Sequence, residues 1–180
     1  ARAGRTAPAP NANPRPLREF APKPGGRFSD VLDYLAGLEF GGPCDLPAAA
    51  VRWARRARQR GLAVLISDAP DLDELRAALR PIRRASQQTI LLHVCSPQDA
   101  GDVPGGPLAL ADPERRLDPL RAVHDERLRT AYRKHWAGYL AHVRSAVHAV
   151  GGGCAQTLTS VGWEKFILSS LKLIRMATSA

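Results

Sequence analysis

Cysteine is scarce in this chain of 180 residues, and the three present, Cys44, Cys95 and Cys154, form no CxxC pair and no short metal-finger spacing. That argues against a zinc module, and an odd count fits reduced thiols in a cytosolic compartment better than a disulfide framework. Long apolar runs are missing too. Nothing approaches the ~20 residues that span a bilayer, and the first residues lack the apolar core of a secretory signal. Lysine is rare beside arginine, with only Lys23, Lys134, Lys165 and Lys172 among 26 basic residues. The formal charge of +9 is therefore arginine-borne, and it is scattered. Arg52, Arg55, Arg56, Arg58 and Arg60 share one expected helix and suit a solvated face, and no nucleic-acid motif accompanies them. No internal repeat is found, and the only low-complexity region is the opening tail.

Residues 1–26 hold six prolines and a single acid, Glu19. Such a segment buries too little apolar surface to offset its ordering and is expected to be a flexible lead-in. One domain is expected over 27–176, with a short tail at 177–180. Ser29 or Asp30 is placed to cap a short helix bearing Val31, Leu32, Leu35 and Leu38. A turn at Gly41-Gly-Pro-Cys-Asp45 then feeds a helix from Leu46 to Gln59, with Ala49, Val51, Trp53 and Ala57 as its contacts and Gly61 past its end.

Five unalternated apolar residues, Leu62 to Ile66, have the composition of a strand covered on both faces. Ser67 and Asp68 follow at its carboxyl end, where ligands gather in open α/β sheets. Asp71 and Glu74 have capping-box spacing before Leu72, Leu75 and Leu79, which predicts a helix over 71–84. Thr89 to Val94 is a second buried strand. This strand–helix–strand rhythm predicts parallel pairing. Leu108 to Leu110 is a short strand, the stretch from Leu120 to Val150 reads as one long helix stopped by Gly151-Gly-Gly153, and Ala155 to Leu158 is a last strand. A helix from Gly162 to Met176 sets Trp163, Phe166, Ile167, Leu171 and Ile174 on one face.

Several side chains invite chemistry. Asp68 suits a metal or partner-binding carboxylate, against the plainer role of a strand-end residue bonded to loop amides. Asp71, Asp73 and Glu74 are explained by helix capping and the helix dipole. Cys44, Ser67, Asp68 and Cys95 are placed to meet at one sheet edge. His93, two residues before Cys95 on one strand, faces the same side and is the nearest base in sequence. His135 and His142 lie seven apart, not the four typical of helical metal pairs. Tyr132, Trp136 and Tyr139 fall at helical spacing, which favours core or helix-docking contacts.

Gly41-Gly42-Pro43-Cys44-Asp45-Leu46, Arg60-Gly61-Leu-Ala-Val-Leu-Ile-Ser67-Asp68 and His93-Val-Cys-Ser-Pro97 together resemble the bacterial family called domain of unknown function 58, which has a von Willebrand factor A-like fold. Further matching stretches are Leu110-Ala-Asp112-Pro-Glu114, Arg129-Thr-Ala-Tyr132, Trp163-Glu-Lys-Phe166 and Ser170-Leu171. The likeness runs from about Gly26 to Arg175. It implies an α/β three-layer domain, a mainly parallel sheet with helices on both faces, truncated at the amino terminus.

Proteins of that fold often carry a metal-ion-dependent adhesion site built from three loops: Asp-x-Ser-x-Ser, a threonine and an aspartate. Here Asp68 matches the aspartate, and Cys44 stands at the threonine position, where a thiol is a poor ligand for Mg²⁺. The Asp-x-Ser-x-Ser loop is not found. Either the chain is the carboxyl-terminal part of a longer protein, or it is a member without that loop. The resemblance thus implies a degenerate site at Cys44, Asp45, Ser67 and Asp68, with no cofactor unless a full-length form supplies the loop and Mg²⁺.

The leading expectation is a non-catalytic, cytoplasmic protein-interaction module. The resemblance implies partnership with a MoxR-type AAA+ ATPase. The alternatives are a small hydrolase or thiol enzyme using the same strand-end loops, and a basic nucleic-acid-binding protein.

Overall fold

A computed structural model describes Phe20 and residues 25–38, 44–57, 60–69, 71–111, 118–168 and 170. The expected flexible lead-in (apart from Phe20 and Gly25–Gly26), the tail at 177–180, and the expected helix beyond Ser170 lie outside the described residues. The chain divides into two compact units, one of residues 1–45 and 110–119, the other of residues 46–109 and 120–180.

The first unit contains α1 (Phe28–Ala36). The helix begins one residue before the first expected cap, so Ser29 and Asp30 lie inside its first turn. Asp30 still serves the helix start, its carboxylate accepting the Arg27 amide at 3.0 Å. No α1 residue is buried, and Phe20 packs its ring against Tyr34 at 5.3 Å.

The second unit is α/β. It contains α2 (Leu46–Arg56), β1 (Leu62–Ser67), α3 (Leu72–Ala85), β2 (Gln88–Cys95), β3 (Gly106–Leu110), β4 (Leu120–His124), α4 (Glu126–Ala149) and β5 (Gly153–Leu158). Leu110, the last residue of β3, is grouped with the first unit. β1, β2 and β5 form a parallel sheet in the order β1-β2-β5, and β3 and β4 form a separate two-stranded sheet. Asp71 caps α3 as expected, its carboxylate taking the amides of Asp73 at 2.8 Å and Glu74 at 3.0 Å.

The stretch from Leu120 is not one helix. Leu120 to His124 is strand β4, and α4 starts only at Glu126. The residues explain the break. Alternation turns Ala122 and His124 inward while Leu120, Arg121 and Val123 stay exposed. Asp125 in extended backbone then caps the helix by accepting the Leu128 amide at 2.7 Å. The glycine stop is observed: α4 ends at Ala149, and Gly151 takes φ +72°.

Register places Leu65, Leu91 and Cys154 in one row, then Ser67, His93 and Gln156 in the next. The first row lies beneath Leu75 and Leu79 of α3 and Val143 and Val147 of α4. Burying each such side chain contributes roughly 1.5–3 kcal/mol, so this face carries much of the stability. α2 adds to it through Leu46 and Ala50 against Ala63, Ala78 and Ile82. Its buried contact is Ala50; of the expected contacts, Ala49 and Trp53 line the pocket between α2 and β1, whereas Val51 is 40% exposed. The stripe of Leu46, Ala50 and Trp53, at spacings of four and three, faces β1, and Val51 lies off it.

The opposite face is covered unevenly. Ile90, Leu92 and Ala155 are buried beside Phe166 of the helical segment at 163–168. Over β1, Leu62, Val64 and Ile66 are 47%, 46% and 68% exposed. Among the described residues β1 pairs with β2 alone. Among them, too, no helix is long and apolar enough to cross a membrane.

Candidate functional site

The row Ser67–His93–Gln156 stands at the carboxyl end of the parallel sheet, one step beyond the apolar row that anchors the helices. His93 is fully buried, and its Nε2 lies 2.8 Å from the backbone carbonyl of Asp68. A carbonyl only accepts, so Nε2 carries the proton and Nδ1 is left as the acceptor. The Gln156 amide nitrogen lies 3.4 Å from that Nδ1 and also donates to the Leu140 carbonyl at 3.2 Å. Arg144 completes the chain, donating to Gln156 Oε1 at 2.6 Å. Buried polar groups need this completeness, since each unmet partner costs about 1–3 kcal/mol.

A second clamp comes from α4. The Tyr139 hydroxyl donates to the carbonyl of Ala69, and that of Asp68 lies 3.4 Å away. About two helical turns earlier, the Tyr132 hydroxyl donates to the Asp99 carbonyl at 2.6 Å. Trp136 stacks between them, 6.5 Å from Tyr132 and 5.3 Å from Tyr139. The aromatic stripe expected to dock a helix or the core therefore ties the loops after β1 and β2 to α4.

The loop after β1 is tightly held. Ala69 is buried with φ +46°, a left-handed conformation a non-glycine residue adopts at a cost on the order of 1–3 kcal/mol. Its amide donates to Ser67 Oγ at 2.9 Å, its carbonyl takes Tyr139, and its methyl joins the core of α3 and α4. The backbone of Asp68 is fixed from both sides.

Its side chain is not. The Asp68 carboxylate is exposed and makes no hydrogen bond or ion pair among the described residues, so the plainer expectation of a carboxylate bonded to loop amides is corrected: the loop holds Asp68 by its carbonyl. Ser67 is half-buried with its hydroxyl engaged by the Ala69 amide. Cys44 and Asp45 are exposed at the end of the other unit, just before α2.

Cys95 and His93 face the same side of β2, with Sγ 3.4 Å from Nε2 and 3.8 Å from Nδ1. They do not make a nucleophile and base. Nε2 gives its proton to the Asp68 carbonyl, Nδ1 faces the Gln156 amide nitrogen and lies 3.8 Å from the thiol, and burial, with the charges of Asp99 and Asp68, pushes the Cys95 thiol up to about 11. A thiol protonated that firmly is a poor nucleophile near neutral pH. His135, His142 and His148 are exposed on α4, while His124 is buried with Nδ1 donating to the Pro104 carbonyl at 3.0 Å.

The donor set does not suit Mg²⁺. Asp68 and Ser67 offer one carboxylate and one engaged hydroxyl, and no group of three or more His, Cys, Asp or Glu able to hold a metal occurs among the described residues. Gln156, Arg144 and Tyr139 were not singled out in the sequence as site residues. Tyr139 carried the helical spacing it shares with Tyr132 and Trp136, whereas for Gln156 the signal is position alone: it is the residue of β5 that falls opposite His93 once the strands align.

Comparison with protein-family models, with curated proteins and with solved structures found no match to this chain.

Proposed function

We propose that this chain is a non-catalytic protein-interaction module that presents the Asp68 carboxylate to a basic group on a protein partner. One observation carries the reading: a solvent-facing carboxylate with no protein partner among the described residues sits on a backbone held by His93 and Tyr139. Rigid backing of this kind lowers the entropy lost when a partner's arginine or lysine closes on the acid. The proposal includes the von Willebrand factor A-like fold, a degenerate adhesion site reduced to Ser67 and Asp68 in this unit, and a cytoplasmic MoxR-type AAA+ ATPase as partner. The sheet order, with β1 at one edge, is compatible with that fold. Neither a metal nor a cofactor takes part.

The test is binding of the chain to a purified MoxR-type ATPase by biolayer interferometry, with Asp68→Asn alongside. Loss of about tenfold or more in affinity with an unchanged melting temperature supports the reading. Wild-type protein that does not bind, or an Asp68→Asn variant that binds equally well, sinks it. Calorimetric titration with Mg²⁺ checks the metal independently, and a micromolar site lost in Asp68→Asn would contradict the degenerate assignment.

A further inference from the structure

At the far edge of the same sheet β5 is flanked by a cleft of about 490 Å³, whose inner wall holds His93, Cys95 and Gln156 but not Asp68 itself. It opens between α4, which supplies Trp136 and Leu140, and the 163–168 segment, which supplies Lys165 and Phe166. Leu158 and Val161 continue the apolar lining. Small-molecule sites have this character: ~300–1,000 Å³, mostly apolar walls and a few polar groups that orient the ligand. The place also fits, since ligands of open α/β sheets lie outside the carboxyl ends of the strands.

The polar groups narrow the chemistry. Gln156 is committed to His93, Leu140 and Arg144, His93 to the Asp68 carbonyl, and the Thr157 hydroxyl donates to the Leu158 carbonyl at 3.4 Å. Lys165 is exposed and makes no ion pair or hydrogen bond among the described residues, so its ammonium is the unpaired cation of the cleft. At the inner end the environment is the reverse: Cys95 is buried, and the negative charges of Asp99 and Asp68 reach its thiol. A second anionic group there would meet like charge. The favoured ligand carries one negative charge at the Lys165 rim and an uncharged apolar body inward, against Trp136 and Phe166.

We propose that this cleft binds a small monoanion with an aromatic or branched apolar body, such as an aryl or branched-chain carboxylate. The inference does not depend on the partner-binding role of Asp68.

Fluorescence titration with 1-anilinonaphthalene-8-sulfonate, and with neutral N-phenyl-1-naphthylamine, tests it. Wild-type protein is expected to bind the sulfonate at one saturable site. Val161→Trp, which fills the cleft, abolishes that site. Lys165→Glu, which replaces the attraction by repulsion, weakens the sulfonate tenfold or more while leaving the neutral probe within twofold; tenfold corresponds to about 1.4 kcal/mol. Ile66→Lys, on the 68% exposed position of β1, leaves both probes unchanged. If Val161→Trp does not fold by circular dichroism, Lys165→Glu alone decides. The proposal is overturned by the absence of a saturable site, by sulfonate binding indifferent to Lys165→Glu, or by loss of the signal in Ile66→Lys, which would assign the probe to the β1 face.

Discussion

Tyr139 donates its phenol proton to the carbonyl of Ala69, seventy residues earlier in the chain, and so spans the gap between α4 and the loop that carries Asp68. The bond holds a residue whose φ of +46° is unfavourable for an alanine. Tyr139→Phe removes it while keeping the ring between His93 and Trp136. The expected loss is about 1 kcal/mol in urea unfolding, the usual net value of one hydrogen bond. Hydrogen exchange of the 66–72 peptide should rise with it, and unchanged exchange there would mean the loop is held by other contacts.

Two glycines should respond oppositely to the same substitution. A Cβ on Gly152 would lie 2.9 Å from Val147 Cγ1 and 3.0 Å from the Thr89 carbonyl, where α4 turns into β5. Gly152→Ala is expected to cost about 1–3 kcal/mol through overpacking. Gly138 lies within α4 with nothing within 4 Å of its Cβ position, so Gly138→Ala should add about 0.5–1 kcal/mol. Denaturant melts of both variants check the pair.

Stability should fall on the alkaline side. Burial first, then Asp99 and Asp68, raises the Cys95 thiol from 9.0 to about 11. Burial first, then Cys95 and the nearby acids, raises the Tyr139 phenol from 10.0 to about 12. In both, the folded chain holds its proton more tightly than the unfolded chain. Their contribution is complete below pH 9, and the cysteine part is lost as pH climbs toward 11. Melting temperature followed from pH 8 to 11 should decline, and Cys95→Ala, though less stable at neutral pH, should decline less steeply.

Thiol labelling separates the cysteines. Cys44 is exposed, whereas Cys95 and Cys154 are buried. Burial also raises the Cys154 thiol, Arg144 opposing in part. Ellman's reagent should label Cys44 quickly in the native protein and the other two only as it unfolds. Rapid labelling of Cys95 would reopen thiol chemistry at the strand ends.

The strand–helix–strand unit was legible because its signals are local: an unbroken apolar run, an aspartate cap, a second run. β4 was missed because Leu120 to His124 tolerates either period, and only the cap at Asp125 marks where the helix begins. On α2 the expected contact Val51 was misassigned, since an arginine-rich helix with scattered alanines offers several weakly apolar faces. At the site, Asp68 was found from its place at a strand end. The His93–Gln156–Arg144 chain depends on strand register and on a helix fifty residues further along, neither of which any local pattern encodes.

The exposed apolar residues of β1 have a colloidal consequence. Among the described residues β1 pairs only with β2 and exposes Leu62, Val64 and Ile66, and a strand edge beside such apolar side chains is a template on which other copies aggregate. Arg60 precedes the run, its guanidinium holding the Arg84 carbonyl at 3.1 Å, and Asp68 closes it. Opposite charges bracketing a greasy ribbon act as gatekeepers against fibrous stacking. Neutralising either end should make the protein harder to keep dispersed, whatever else that residue does.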